Sequence, residues 1–178
     1  MKLIESKEKY KSSIFRVTED HAVDPDGFEI KRAIIRHGGS AVMMPVDEKG
    51  RILLVRQYRL PARAKLWELS AGRVDEGETV LQAAKRELGE ETGYRAKKWT
   101  KLASFFVSPG FLEEKMTVYL AQDLSEGEKH FMEDERIETK WFSSREVDEM
   151  VRTGKIMDAK TMVGFLIWKR YVSGKQWK

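Results

Sequence analysis

Apolar and polar positions change period along this chain, and each change marks an element. Ser13-Ile14-Phe15-Arg16-Val17 and Phe28-Glu29-Ile30-Lys31-Arg32-Ala33-Ile34 alternate, as strands with one buried face do. Asp24-Pro25-Asp26-Gly27 between them has the side chains and backbone freedom of a turn. Two or three such strands need something to pack on. The pattern therefore predicts a small antiparallel N-terminal β element over 1–38 that leans on a partner subunit, followed by a main domain over 39–178. Residues 41–46 form a continuous apolar run, Asp47-Glu48-Lys49-Gly50 a hairpin turn, and 52–58 the returning strand. Further strands are expected over 66–70, which runs into a loop at Ala71-Gly72, and over 100–107, 116–121 and 137–142. Helices are expected over 144–152, closed by Gly154, and over 158–172, the second burying Met162, Phe165, Leu166 and Trp168. Mixed strands with helices late in the chain predict an α+β fold.

One stretch between the strands has helical period. It is 72–94, GRVDEGETVLQAAKRELGEETGY. Asp75, Glu76 and Gly77 supply a turn, Glu78-Thr79 lead into a helix, and Gly93 stops it. At about 100° per residue, Val80, Ala84, Glu87 and Glu91 fall within roughly 40° of one line. Lys85, Gln82, Gly89 and Thr92 lie opposite, with Glu90 on the near flank beside Ala83. Two glutamates thus occupy the stripe that otherwise packs inward. A carboxylate there costs several kcal/mol to desolvate unless it is paired or bound to a cation. Spacing alone leaves two readings open: a cation-binding cluster, or a solvated helix with i,i+4 pairs to Lys85 and Arg86.

Composition narrows the chemistry. The 178 residues carry 33 Lys+Arg against 29 Asp+Glu, a net charge of +4. The basic residues are dispersed among acids, so no nucleic-acid stripe is expected, while a mild positive field favours an anionic small molecule. With no cysteine, a disulfide, a thiolate zinc site and a thiol nucleophile are excluded. His21, His37 and His130 are too scattered for a metal spacing. The opening MKLIESKEKYKSS has no apolar leader and no window approaches a membrane span, so a cytoplasmic protein is expected.

Gly72, five residues, Glu78, seven residues, then Arg86-Glu87-Leu88-Gly89-Glu90-Glu91-Thr92-Gly93 and a bulky residue resembles the Nudix box of the Nudix hydrolases. The departure is mild: Tyr94 stands where an aliphatic residue is commoner. The resemblance implies an α/β/α sandwich with the box helix against a mixed β-sheet. It also implies divalent cations, Mg2+ or Mn2+, held by Glu87 and Glu91 with Glu90 close by and bridging to a diphosphate. Hard cations take clustered carboxylate oxygens and phosphates.

Further residues resemble the ADP-ribose pyrophosphatase-like branch. Pro109 stands about fifteen residues past the box, inside Phe106-Val107-Ser108-Pro109-Gly110-Phe111. Val55-Arg56-Gln57-Tyr58-Arg59, Glu68-Leu69-Ser70-Ala71-Gly72 and Glu113-Glu114-Lys115 fit the same branch, although Ser70 replaces a proline common among relatives. By this resemblance Ala71 offers its backbone carbonyl to a cation, aimed by a tight turn at Gly72. The acidic loop brings a metal ligand, Glu135, and a general base, Glu133, with the two roles interchangeable. Glu90 joins them as a catalytic carboxylate. Arg32 and Arg59 are the candidates for the diphosphate or distal sugar, with Arg56 competing. Phe28 and Phe15 are equally read as base-stacking or core residues, and Pro109 and Glu114 line the substrate. Arg86 orients Glu87 and Glu91 or pairs with Glu78.

The implied function is hydrolysis of ADP-ribose or a related nucleoside diphosphate sugar to a nucleoside monophosphate and a sugar phosphate, in a homodimer that exchanges N-terminal elements. GDP-mannose or another nucleotide sugar is the neighbouring substrate reading. A regulator that binds a nucleotide without cleaving it is the reading of another class. Three intact box glutamates argue against it.

Overall fold

The computed structural model describes residues 1–127 and 136–174. Its central strand is β4 (Ser40–Pro45), buried at every residue. A strand covered on both faces needs no alternation, which is why 41–46 reads as unbroken apolar sequence. β4 pairs in parallel with β9 (Lys115–Glu126) and antiparallel with the short β7 (Ala71–Arg73). β8 (Tyr94–Phe106) completes a mixed sheet of order β7-β4-β9-β8. A second sheet, β10-β5-β6, comprises β5 (Ile52–Arg59), β6 (Ala64–Glu68) and β10 (Glu138–Phe142).

Successive β4 side chains divide the core. Ala41 and Met43 pack with Ala83, Ala84 and Leu88 of α1 (Val80–Thr92). Val42 and Met44 join Ile52 and Leu54 of the second sheet, Val147 and Met150 of α2 (Ser144–Arg152), and Phe165 and Trp168 of α3 (Ala159–Val172). The central sheet therefore has α1 on one face and α2 and α3 toward the other, the expected α/β/α sandwich. Among the described residues no helix is long and apolar enough to cross a membrane.

Helix ends follow local chemistry. Thr79 and Gln82 form a capping box, and Gly93 closes α1 at φ 75°, a left-handed conformation that favours glycine. Ser143 and Asp158 cap α2 and α3.

Several elements differ from expectation. The N-terminal sheet has three strands: β1 (Lys2–Lys11), β2 (Arg16–Val23) and β3 (Glu29–Arg36). Ser13-Ile14-Phe15 lies in the turn between the first two rather than in a strand, with Ser12 Oγ accepting the Ile14 and Phe15 N–H groups. β1 is exposed along its length, so no buried face imposes the alternation that would mark it. Strand β8 starts at Tyr94, directly after the helix, and residues 71–73 form β7 instead of a loop. Thr92 is buried, not outward, and its hydroxyl donates to the Leu88 carbonyl. Leu166 is 57% exposed while Phe165 and Trp168 are buried.

Candidate active site

The box helix presents its carboxylates around one arginine. Arg86 donates to Glu78 Oε1 and Oε2 (3.1 and 2.9 Å), Glu87 Oε1 (2.6 Å), Glu90 Oε2 (3.1 Å) and the Arg73 carbonyl (3.1 Å). Its hydrogen bond to Glu78, then those to Glu87 and Glu90, hold the guanidinium more firmly protonated than usual against the opposing effect of burial. The same Arg86 contact holds the Glu78 carboxyl below its ordinary range. Arg86 thus ties the loop before the helix, through Glu78, to Glu87 and Glu90 of the helix. Glu91 is 4% exposed, on the face it shares with Ala84 and Leu88.

Glu87 lies across Gly72. A Cβ at Gly72 would stand 1.9 Å from Glu87 Cδ and 2.1 Å from its Oε1. Gly72 is not a tight turn: it sits within β7 opposite Ala41, and what it supplies is the space a side chain would fill. This β7 register also aims Ala71. The Met43 N–H donates to the Ser70 carbonyl at 2.8 Å and the Val74 N–H to the Gly39 carbonyl at 3.2 Å. Bonded and non-bonded pairs alternate in an antiparallel ladder, so Val42 and Ala71 form a non-bonded pair. The Ala71 carbonyl therefore points away from β4, toward the open edge of an outermost strand.

Behind β7 lies a polar network that single-residue patterns do not reveal. Glu68 is 1% exposed; it receives Arg59 Nε and Nη2 (2.9 and 2.8 Å) and Lys160 Nζ (2.6 Å). Lys160 also pairs with Asp158 at 3.0 Å, and the Leu69 N–H donates to Thr161 Oγ1 at 2.7 Å. Burial alone would raise the Glu68 carboxyl, but Arg59 and Lys160 together bring it below its ordinary value. The Glu68 hydrogen bonds raise Arg59 in turn, helped by the nearby charges of Glu91 and Asp158.

A pH dependence follows. A depressed carboxyl contributes stability above its unfolded value, 4.5, and that contribution disappears as pH falls from there through the folded value. A Glu68→Gln variant lacks the contribution at every pH. Its urea-unfolding free energy should lie below wild type at pH 7, and the two curves should converge on acidification below 4.5. Parallel curves down to acid unfolding would refute the assignment.

The remaining candidates stand on other elements. On β5, Arg56 and Arg59 are three residues apart and project from opposite faces. Arg56 pairs with Glu138 at 2.7 Å and lies over Trp67, whereas Arg59 is within electrostatic reach of Glu91. Arg32 is exposed on β3, and its side chain donates to the neighbouring Lys31 carbonyl. The arginine that joins the N-terminal sheet to the 108–114 loop is Arg36, through Asp20, Thr18 and Glu113. Phe28 is 63% exposed. Phe15 packs on Tyr10 and lines a cleft of about 320 Å³ with Arg36, His37 and Glu113. Pro109 is exposed in a turn closed by the Leu112 N–H on the Ser108 carbonyl. Glu114 accepts the Ser40 hydroxyl at 2.6 Å.

Glu133, Glu135 and His130 lie outside the described residues. Among those described, no three histidine, aspartate or glutamate side chains come together closely enough to hold a metal ion. The carboxylates of Glu87 and Glu91 and the backbone carbonyl of Ala71 are all oxygen donors, the chemistry a hard cation takes.

Comparison with known proteins points the same way. Residues 36–162 match the family model of the NUDIX domain. The chain is 38% identical over 168 residues to ADP-ribose pyrophosphatase of Bacillus subtilis (strain 168), covering 90% of this chain and 91% of that protein. It is 32% identical over 164 residues to methanol dehydrogenase activator of Bacillus methanolicus, covering 91% and 89% respectively. A crystal structure of an ADP compounds hydrolase shares the fold, with a TM-score of 0.83 at 22% identity over 98% of this chain and 96% of that one.

Proposed function

This chain belongs to the NUDIX family as a pyrophosphohydrolase, and from that membership we propose that it cleaves the diphosphate linkage of ADP-ribose or a related nucleoside diphosphate sugar. The products are a nucleoside monophosphate and a sugar phosphate. The observation that carries the reading is Glu87 lying on Gly72, the residue after Ala71 with its outward carbonyl, and Glu91 buried on the same helix.

On this reading Glu87, Glu91 and the Ala71 carbonyl hold Mg2+ or Mn2+, joined by Glu135, and Glu133 accepts the proton of the attacking water while Glu90 assists. The cation supplies charge neutralisation on the diphosphate and a more acidic water. Arg59 offers the diphosphate its guanidinium, a fork that matches phosphate oxygens. Arg86 holds Glu87 and Glu90 in place before substrate arrives. Pro109, Glu114, Phe28 and Arg32 serve the nucleoside and distal sugar. Phe28 and Arg32 do so from an N-terminal element, residues 1–38, that pairs with a second subunit. The exposure of all ten β1 residues, Leu3, Ile4 and Tyr10 among them, supports such a homodimer. The protein is assigned to the cytoplasm.

The likeness to a methanol dehydrogenase activator favours a second reading, a nucleotide-binding protein acting on another enzyme. One panel separates the two. ADP-ribose, GDP-mannose, UDP-glucose, NADH, diadenosine polyphosphates and 8-oxo-dGTP are incubated with Mg2+ or Mn2+ and a coupled phosphatase. Phosphate release concentrated on ADP-ribose or another nucleotide sugar is expected. A folded protein that binds nucleotide and releases no phosphate with either metal would overturn the hydrolase reading.

A further inference from the structure

We propose that Lys160, the second residue of α3, is a positioning residue that aims Arg59 at the substrate's diphosphate through Glu68; the proposal rests on the hydrolase reading above. Arg59, Glu68, Lys160 and Asp158 form a chain of alternating charge, each member within 3.0 Å of the next. Three of the four are withdrawn from solvent: the side chains of Glu68, Lys160 and Asp158 are 1%, 7% and 18% exposed. Arg59, at the end of the chain, is 40% exposed.

Burying such a network is not the cheapest way to stabilise a core. Well-packed apolar residues of similar volume often do as well or better, because the desolvation cost of ions consumes most of their attraction. What the network does achieve is to fix one exposed cation. Both Nε and Nη2 of Arg59 are engaged by Glu68, which locks the guanidinium plane, and Nη1 donates to nothing among the described residues. Glu68 itself is fixed from behind by Lys160, whose backbone belongs to a helix capped at Asp158. The next helix residue, Thr161, takes the N–H of Leu69 and donates to Asp158, so the first turn of α3 holds 68 and 69 together. Arg59 therefore inherits its direction from a helix 101 residues further along the chain (160 − 59). Without Lys160, Glu68 remains attached to Arg59 but to no fixed cation, and the two swing as a pair.

The test compares Lys160→Met, Arg59→Ala and the double variant. Kinetics on ADP-ribose with Mg2+ are joined by equilibrium dialysis of ADP-ribose in EDTA, where nothing turns over. Lys160→Met should raise KM and the dissociation constant in EDTA about tenfold while changing kcat less than about threefold, because a loosened fork weakens binding in the ground and transition states alike. The double variant should be no worse than Arg59→Ala alone, since Lys160 then has nothing left to aim. Lys169→Met, which breaks the exposed α3 pair with Asp148, should match wild type. If Lys160→Met does not fold, Glu68→Gln, which keeps shape and acceptor but loses the charge, should show the same KM shift.

Wild-type KM and binding in Lys160→Met would overturn the proposal. So would losses that multiply with those of Arg59→Ala, which would make Lys160 a purely structural residue. Wild type that binds ADP-ribose and does not cleave it would defeat the hydrolase reading alone, leaving the positioning claim to stand or fall on the EDTA data.

Discussion

A Glu91→Gln protein is expected to fold and to lose turnover of ADP-ribose by well over ~10²-fold, beyond the 10–100-fold typical of residues that merely support a metal ligand. Glu91 is 4% exposed and shares its helix face with Ala84 and Leu88. A carboxylate in that setting carries a desolvation cost that an amide of the same shape does not. If the charge is there to hold a cation, its removal should show in how the unfolding midpoint responds to metal. The rise on adding MgCl2, which reflects binding to the folded state only, should shrink. Loss of the Glu91 charge also weakens the field on Arg59, which acts on turnover in the same direction. Wild-type turnover in Glu91→Gln, with an unchanged response to MgCl2, would remove Glu91 from the site.

What the chain reveals before folding depends on how local the determining contacts are. The box helix is legible because its signals are carried within it: Thr79 and Gln82 cap each other, and Gly93 takes the left-handed turn. The first residue of α2 and the cap of α3 are legible for the same reason. The inward face of α1 is less so. A helical wheel centred on its glutamates puts Thr92 outside, but Leu88 packs with Ala41 and Met43, and Thr92, bonded to the Leu88 carbonyl, is buried as well. Strands without a buried face leave no pattern. β1 carries Lys2, Glu5, Lys7, Glu8, Lys9 and Lys11 on an exposed ribbon, and only its pairing with β2 makes it a strand.

The site divides along the same line. Glu78, Arg86, Glu87, Glu90 and Glu91 sit within 14 residues (78 to 91), so their spacing declares them. Glu68 and Lys160 are 92 residues apart, and their contact exists only once α3 has docked beside β6. One hint was present: a glutamate within Leu66-Trp67-Glu68-Leu69, an otherwise apolar run, is a carboxylate that folding must bury against a partner. Identifying Lys160 as that partner requires the tertiary structure. Arg36 was hidden in the same way, since its acceptors come from β2 and from the loop at Glu113.

Among the described glycines, Gly72→Ala should be the most damaging substitution. Sequence spacing makes Gly72 look like a turn residue, for which alanine would act through backbone strain. In the structure Gly72 lies in a strand, and the added Cβ meets Glu87 instead, at 1.9 Å from Cδ and 2.2 Å from Cγ. A collision with Cγ as well as the carboxylate cannot be relieved by rotating the end of the side chain. Glu87 must leave its rotamer, give up its 2.6 Å contact with Arg86, and vacate its position over Gly72. The helix backbone need not move, so the stability cost should be that of a modest overpacking, roughly 1–3 kcal/mol. Activity should fall much further, by about 10²-fold, because a ligand displaced by an ångström no longer meets its cation. Gly89→Ala provides the contrast: it is mid-helix, nothing lies within 4 Å of its added Cβ, and alanine there should stabilise by about 0.5–1 kcal/mol. Urea unfolding and steady-state kinetics on the two variants would distinguish the causes. A Gly72→Ala protein that unfolds like wild type and turns over like wild type would show that Glu87 has room to spare, and the arrangement of Glu87 over Gly72 would no longer explain why the box begins with glycine.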